Sequence, residues 1–285
     1  MLRLSVAQLS VQPNPKVRFT IRHQDEHVLV IDKPHGLVTQ PGKGHDSDTL
    51  LNGLFAGEDG TWGIRLQKLG VGRDYGLLHR LDRETSGLLI VALTREAYDA
   101  LRTQFENREI KKFYWAITSK NPKAASGVIK KPILEVTGFA QADLYNSRNV
   151  KVARISQAGK PAMTAWRTLA GNILGAVIEA RPITGRLHQV RVHLDAIGCP
   201  ILADGFYAPA NTRGIAPRLA LHAHRIIFTH PITGETIDVH SPFPKDLRAT
   251  LTKLKLPRPD EDPAAPAAPK AAKAPKPSRK PAAGS

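Results

Sequence analysis

The stretch HRLDRETSGLLI, residues 79–90, constrains this chain most, because it sets a charged loop directly against an apolar run. Leu88 to Leu93 reads as a buried strand. A buried strand next to Arg80, Asp82, Arg83 and Glu84 costs stability unless those charges are paired, and such places are often functional. Taken alone, Asp82 reads first as an ordinary turn or cap residue ahead of a strand; the length of the motif and a second motif downstream reverse that.

Around this stretch, the order of elements points to an α+β fold with a mainly antiparallel or mixed sheet core and flanking helices. Val17 to Asp32 holds two short strands parted by a polar turn, with Pro34 and Gly36 stopping the second. Asp48 is the expected cap of a short helix ending near Phe55. Thr94 caps a helix over 95–106, with Ala97, Leu101 and Phe105 spaced along one face. Strands follow near 113–118, 150–155, 162–169 and 176–180. A helix over 188–197 ends at Gly198 and Pro200, and a final hairpin turns at 231–234. Residues 57–74, rich in Gly and basic side chains, read as a surface insertion. Residues 1–16 read as an N-terminal extension, 17–254 as the folded domain, and 255–285 as a disordered Pro/Ala/Lys tail.

The chain has 285 residues and a net charge of +16, of which the tail supplies four. The remaining +12 favours a nucleic-acid partner over a tail artefact, a merely soluble basic surface being the alternative. No apolar stretch is long enough for a membrane helix. The single cysteine, Cys199, rules out an intramolecular disulfide and a Cys-rich zinc site. With no secretory signal at the start, the expected location is the cytoplasm and the expected state a monomer.

A second dense segment is RPITGRLHQVRVHL, residues 181–194. Val190, Leu194 and Ile197 form one helix face, with Arg191 at its edge, where it is partly buried and directed at a partner. The alternative for Arg191 is a solvent-side ion pair with Asp195. His188 and His193 lack the spacing of a helical zinc pair, and no HExxH occurs. His222 and His224 share a strand face, where they pack or contact phosphate; no metal is expected.

Together these segments resemble the RluA family of RNA pseudouridine synthases. HRLDRETSGLLIVAL is similar to its catalytic-loop motif, and TGRLHQVRVHLDAIGCPILADGFY to its C-terminal arginine motif. KFYWA at 112–116, HVLVIDKPHGLVTQPG at 27–42 and APRLALHAHRIIFTHP at 216–231 resemble three further motifs, all in order. The resemblance implies the pseudouridine synthase fold, with a catalytic cleft across the sheet. It implies isomerisation of uridine in ribosomal or transfer RNA, with no cofactor: N1–C1′ breaks, the uracil turns, and C5 bonds to C1′. It gives the catalytic roles to Asp82, Arg191 and Tyr114, and places Arg80, His79, Leu221 and Arg186 at the substrate. Asp82 is then expected to attack C1′ or C6, or to take the 2′ proton. A bidentate Arg191 would keep it ionised. Thr85, Ser86 and Gly87 would shape its loop, the hydroxyls capping amides. Many relatives carry an S4-type RNA-binding domain; none is visible here, so the core is expected to read the RNA itself. Two other readings stay open: a non-catalytic RNA-binding protein on this scaffold, and a hydrolase pairing Asp82 with Glu84.

Overall fold

The computed structural model describes residues 10–42, 44–138, 150–212 and 214–260. The central element is strand β3 (Ser86–Ala92), buried at every position, with the antiparallel strand β2 (Val28–Lys33) beside it. Alternation explains the continuous apolar runs. Leu29, Ile31, Leu89 and Val91 feed one core cluster, and Val28, Val30, Leu88 and Ile90 feed the other. A strand covered on both faces has no polar side to spare.

These strands lie in a nine-stranded sheet completed by β1 (Thr20–Gln24), β4 (Lys111–Thr118), β5 (Ser126–Lys130), β8 (Met163–Asn172), β9 (Gly175–Pro182), β10 (Leu221–Thr229) and β11 (Thr236–His240). The order is β1-β2-β3-β10-β4-β9-β8-β5, with β11 paired to β10. All pairings are antiparallel except β3 with β10, so the sheet is mixed. That parallel pair sets Gly87 opposite Ala223, where φ is +119° and a Cβ would lie 2.3 Å from the Ala223 carbonyl oxygen. Only glycine permits this approach.

Helix α1 (Leu50–Ala56) and helix α2 (Thr61–Leu69) pack on one face and α3 (Arg95–Glu106) on the other. Thr94 caps α3, its Oγ1 accepting from the Ala97 amide, as the sequence predicts. Asp48 does not cap α1: it pairs with His45, and the cap is Thr49, whose amide and hydroxyl both donate to Asn52 Oδ1.

Residues 57–74 are not a surface insertion. They form α2 and a following turn, with Trp62, Leu66 and Leu69 in the main core. Two of the glycines there set close contacts, Gly57 against the Trp62 ring and Gly63 against the Phe55 carbonyl. The expected domain limits also move. Val11 lies in the same core, and Ser10 bonds Gln67 and Tyr75, so residues 10–16 are part of the body. At the other end, helix α5 (Arg248–Leu254) and Leu256 pack inside, and the Phe243 amide donates to Asp260. The rest of the expected tail, 261–285, lies outside the described residues, as do 1–9.

A separate hairpin of β6 (Ile133–Gly138) and β7 (Val150–Ile155) packs on helix α4 (Gln189–Ala196) through Ile133, Ala153 and Val192. With the main core on its other side, α4 is buried from Gln189 to Leu194 rather than amphipathic.

Candidate functional site

A cavity of about 920 Å³ crosses the sheet where β3, β10, β4 and β9 lie side by side, a size within the usual range for ligand sites. Its lining comes from the 78–85 loop, Tyr114 on β4, Leu221 on β10, the 182–191 connection into α4, and Glu135 and Lys151 on the hairpin. The sequence-predicted residues Asp82, Arg191, Tyr114, Arg80, His79, Leu221 and Arg186 all line it.

Asp82 sits in a braced loop. The Thr39 hydroxyl donates to the Leu81 carbonyl, the Gly36 amide to the Arg83 carbonyl, and the Thr85 amide closes a turn on the Asp82 carbonyl. Beneath it lies Lys33, 0 % exposed, whose ammonium donates to the carbonyls of Pro34, Leu37 and Arg83. Burial pulls the Lys33 pKa down to about 8, against the opposing pull of Asp82 and Glu84. Ser86 bonds His222 Nδ1, and Thr85 Oγ1 is buried without a partner, so neither hydroxyl caps an amide as expected. The loop is held by backbone carbonyls instead.

Arg191, 2 % exposed, is the cation facing Asp82, but its fork is spent elsewhere. Nε and Nη2 grip Asp204 at 2.8 and 2.7 Å, and Nη1 reaches Asp82 Oδ2 at 3.3 Å. The expected bidentate Asp82 pair is thus a single, longer bond, because the wholly buried Asp204 takes the better geometry. Burial opposes the Arg191 charge, yet Asp204 and then Asp82 outweigh it and raise its pKa. The solvent-side pair with Asp195 is not formed. Asp204 Oδ1 also accepts from the amides of Phe206 and Tyr207, and both rings lie near the guanidinium. The sequence carried Asp204 within a quoted motif, but a lone Asp before Gly reads as a turn residue.

Tyr114 is buried, and burial, with Asp82 nearby, pushes its pKa up, so the phenol keeps its proton. Leu221 is a buried wall. Arg80 is exposed at the rim, with Arg108 and Lys151. Arg186 donates to the Pro161 carbonyl. His79 is occupied structurally: its Nε2 accepts from the Ile90 amide and its ring tilts on Phe105. His222 and His224 are buried; they bond Ser86, Ser241 and Glu179 and stack near Trp115. His193 bonds Thr164 and the Lys131 carbonyl. Among the described residues no group of three or more His, Cys, Asp or Glu could hold a metal ion, and no helix is long and apolar enough to cross a membrane.

His188 was missed as a site residue. It enters α4 with φ 50° and ψ 22°, and its Nε2 lies 3.9 Å from Asp82 Oδ2.

Residues 27–196 match the family model described as RNA pseudouridylate synthase. The chain is 38 % identical over 229 residues to the dual-specificity RNA pseudouridine synthase RluA of Escherichia coli K12, spanning 78 % of this chain and 92 % of that one. It is 34 % identical over 265 residues to the ribosomal large subunit pseudouridine synthase D of Neisseria meningitidis serogroup B, spanning 90 % of this chain but only 66 % of the relative's length. Among solved structures, the human RNA pseudouridylate synthase domain containing 4 is similar with a TM-score of 0.63 and 29 % identity, over 84 % of this chain and 94 % of that one.

Proposed function

This chain belongs to the RluA-type family of RNA pseudouridine synthases, and from that premise we propose that it isomerises uridines in structured RNA with Asp82 as the reacting carboxylate. It is an isomerase, and the expected α+β fold with a cleft across the sheet is the fold observed. The observation that carries the assignment of Asp82 is its position: a carboxylate beside a buried guanidinium, at the edge of a cavity large enough for an extruded nucleotide.

Arg191 Nη1 donates to Asp82 Oδ2 and stays beside it as the base displaces water. Tyr114 offers a flat, protonated ring, and Leu221 an apolar wall, between which the uracil lies. Arg80, Arg108 and Lys151 on the rim meet phosphates, and Arg80 also supports the place the uridine leaves. Which atom Asp82 attacks is open among C1′, C6 and the 2′ proton. Ribosomal large-subunit RNA is the first target to try, given the name of the Neisseria relative, and transfer RNA the second.

Purified protein incubated with total bacterial RNA should form new pseudouridines, mapped by sequencing, while Asp82→Asn forms none. Activity surviving that substitution removes Asp82 from the reaction. Free uracil as the product would make the protein a hydrolase instead.

A further inference from the structure

We propose that His188 is the group that takes the C5 proton in the second half of the isomerisation. The proposal rests on the uridine reading above. It follows from three features of the His188 ring.

The first is a fixed tautomer. Tyr207 Oη donates its one hydrogen to the Ala153 carbonyl, at 3.0 Å, and accepts from the Ala153 amide at 3.1 Å. Its remaining contact is His188 Nδ1 at 2.8 Å, so Nδ1 carries a hydrogen and donates. In the neutral ring, Nε2 is then a bare acceptor.

The second is direction. Nε2 lies 3.9 Å from Asp82 Oδ2, on a residue that lines the cavity. With no proton between them, the two acceptors do not bond. An atom held against Asp82 lies within reach of both.

The third is backbone conformation. A non-glycine residue at φ 50° is unusual, and such positions concentrate at functional sites. Burial, with Arg191 close by, lowers the His188 pKa, against the opposing pull of Asp82, Asp204 and Glu84. The ring is thus neutral near pH 7. Among the other titratable rings lining the cavity, Tyr114 holds its own proton too firmly to serve, His79 Nε2 is taken by the Ile90 amide, and His45 pairs with Asp48.

The reaction requires such a group. When C5 bonds to C1′, C5 becomes tetrahedral and still carries its hydrogen, while the ring holds a C6=N1 double bond. Transfer of that hydrogen to Nε2 as a proton leaves its bonding pair to form C5=C6. The C6=N1 π pair moves onto N1, which takes up one proton. The imidazolium gives up its proton, directly or through water, so atoms and charge balance.

The test uses a large-subunit ribosomal RNA transcript made with uridine or with 5-deuterouridine, in single-turnover reactions of the full chain. His188→Asn keeps a residue tolerant of this φ and a side-chain amide to donate to Tyr207, but removes Nε2. The expected result is a rate loss of about a hundredfold or more, with a normal C5 isotope effect larger than in wild type. Tyr207→Phe, which frees the tautomer, should show a smaller loss with the same sign of isotope change. His188→Asn at the wild-type rate overturns the proposal. So does a slow variant whose isotope effect equals wild type, since that marks a purely structural role. If His188→Asn does not fold, an unchanged isotope effect in Tyr207→Phe overturns it. A wild-type protein inert on every RNA tried would instead sink the uridine reading itself, and this proposal with it.

Discussion

Arg191 and Asp204 form a closed fork, at 2.8 and 2.7 Å, between two side chains that are 2 % and 0 % exposed. The guanidinium that faces Asp82 is therefore positioned by a different carboxylate, and of its three nitrogens Nη1 is the one that reaches Asp82. This division lets Asp82 stay 23 % exposed toward the cavity while its counter-ion is locked.

Asp204→Asn leaves the Arg191 charge with a neutral partner in a buried setting. Breaking such a pair costs about 3–5 kcal/mol, read as a lower midpoint in denaturant. Turnover should fall too, because the freed fork swings to Asp82 and closes it off from the cavity. A variant as stable as wild type would show that the fork does not hold Arg191 in place.

The contrast between Asp82 and Asp204 shows what was legible in the sequence. Asp82 stands in a long motif against an apolar run, so loop and strand were both readable. Asp204 acts at a distance of thirteen residues from Arg191, through a turn that no periodicity marks. His188 was weighed only as a metal ligand, because its spacing was the visible signal and its left-handed backbone was not. Strand β5 was missed because it is an edge strand with Ile129 alone buried, and β6 because its register depends on a partner beyond 139–149. The run 57–74 misled because Gly57 and Gly63, which suggest a loop, let α2 approach α1. Long-range pairing, buried charge and close backbone approach carry no local pattern.

Gly87 couples the Asp82 loop to the sheet. In Gly87→Ala the new Cβ meets the Ala223 backbone at 2.3 to 2.7 Å, at a φ of +119°. The expected loss is about 2–4 kcal/mol, with reduced activity as β3 separates from β10. Gly42→Ala, which meets nothing within 4 Å, serves as the neutral control in the same thermal melts. Equal melting temperatures for the two variants would contradict the close packing of β3 on β10.

Lys33 should leave a mark on stability against pH. Its pKa is about 8 in the fold and 10.5 when unfolded. Between those values the unfolded chain binds more protons, so stability rises with pH across that window. Below pH 8 both states hold the proton and the term is constant. The gain approaches roughly 3 kcal/mol at the upper end. Burial also lowers the Lys112 pKa to about 8, so denaturation curves of wild type and Lys33→Met at several pH values should both rise, with the steeper rise in wild type. Identical slopes in both proteins would leave Lys112 as the titrating group and remove Lys33.

Arg80, exposed at the cavity rim two residues before Asp82, separates two ways of holding RNA. If it contacts a phosphate, it releases counterions on binding, and its loss flattens the dependence of log affinity on log salt by about one. If it only fills the space left by the uridine, its loss weakens binding equally at all salt concentrations. The basic rim favours the first, so Arg80→Gln should bind a stem-loop RNA more weakly at low salt and with the shallower slope. Filter binding of the Asp82→Asn protein, expected to be inactive, with and without Arg80→Gln, measures this without turnover. An unchanged slope would move Arg80 from the backbone to the base stack.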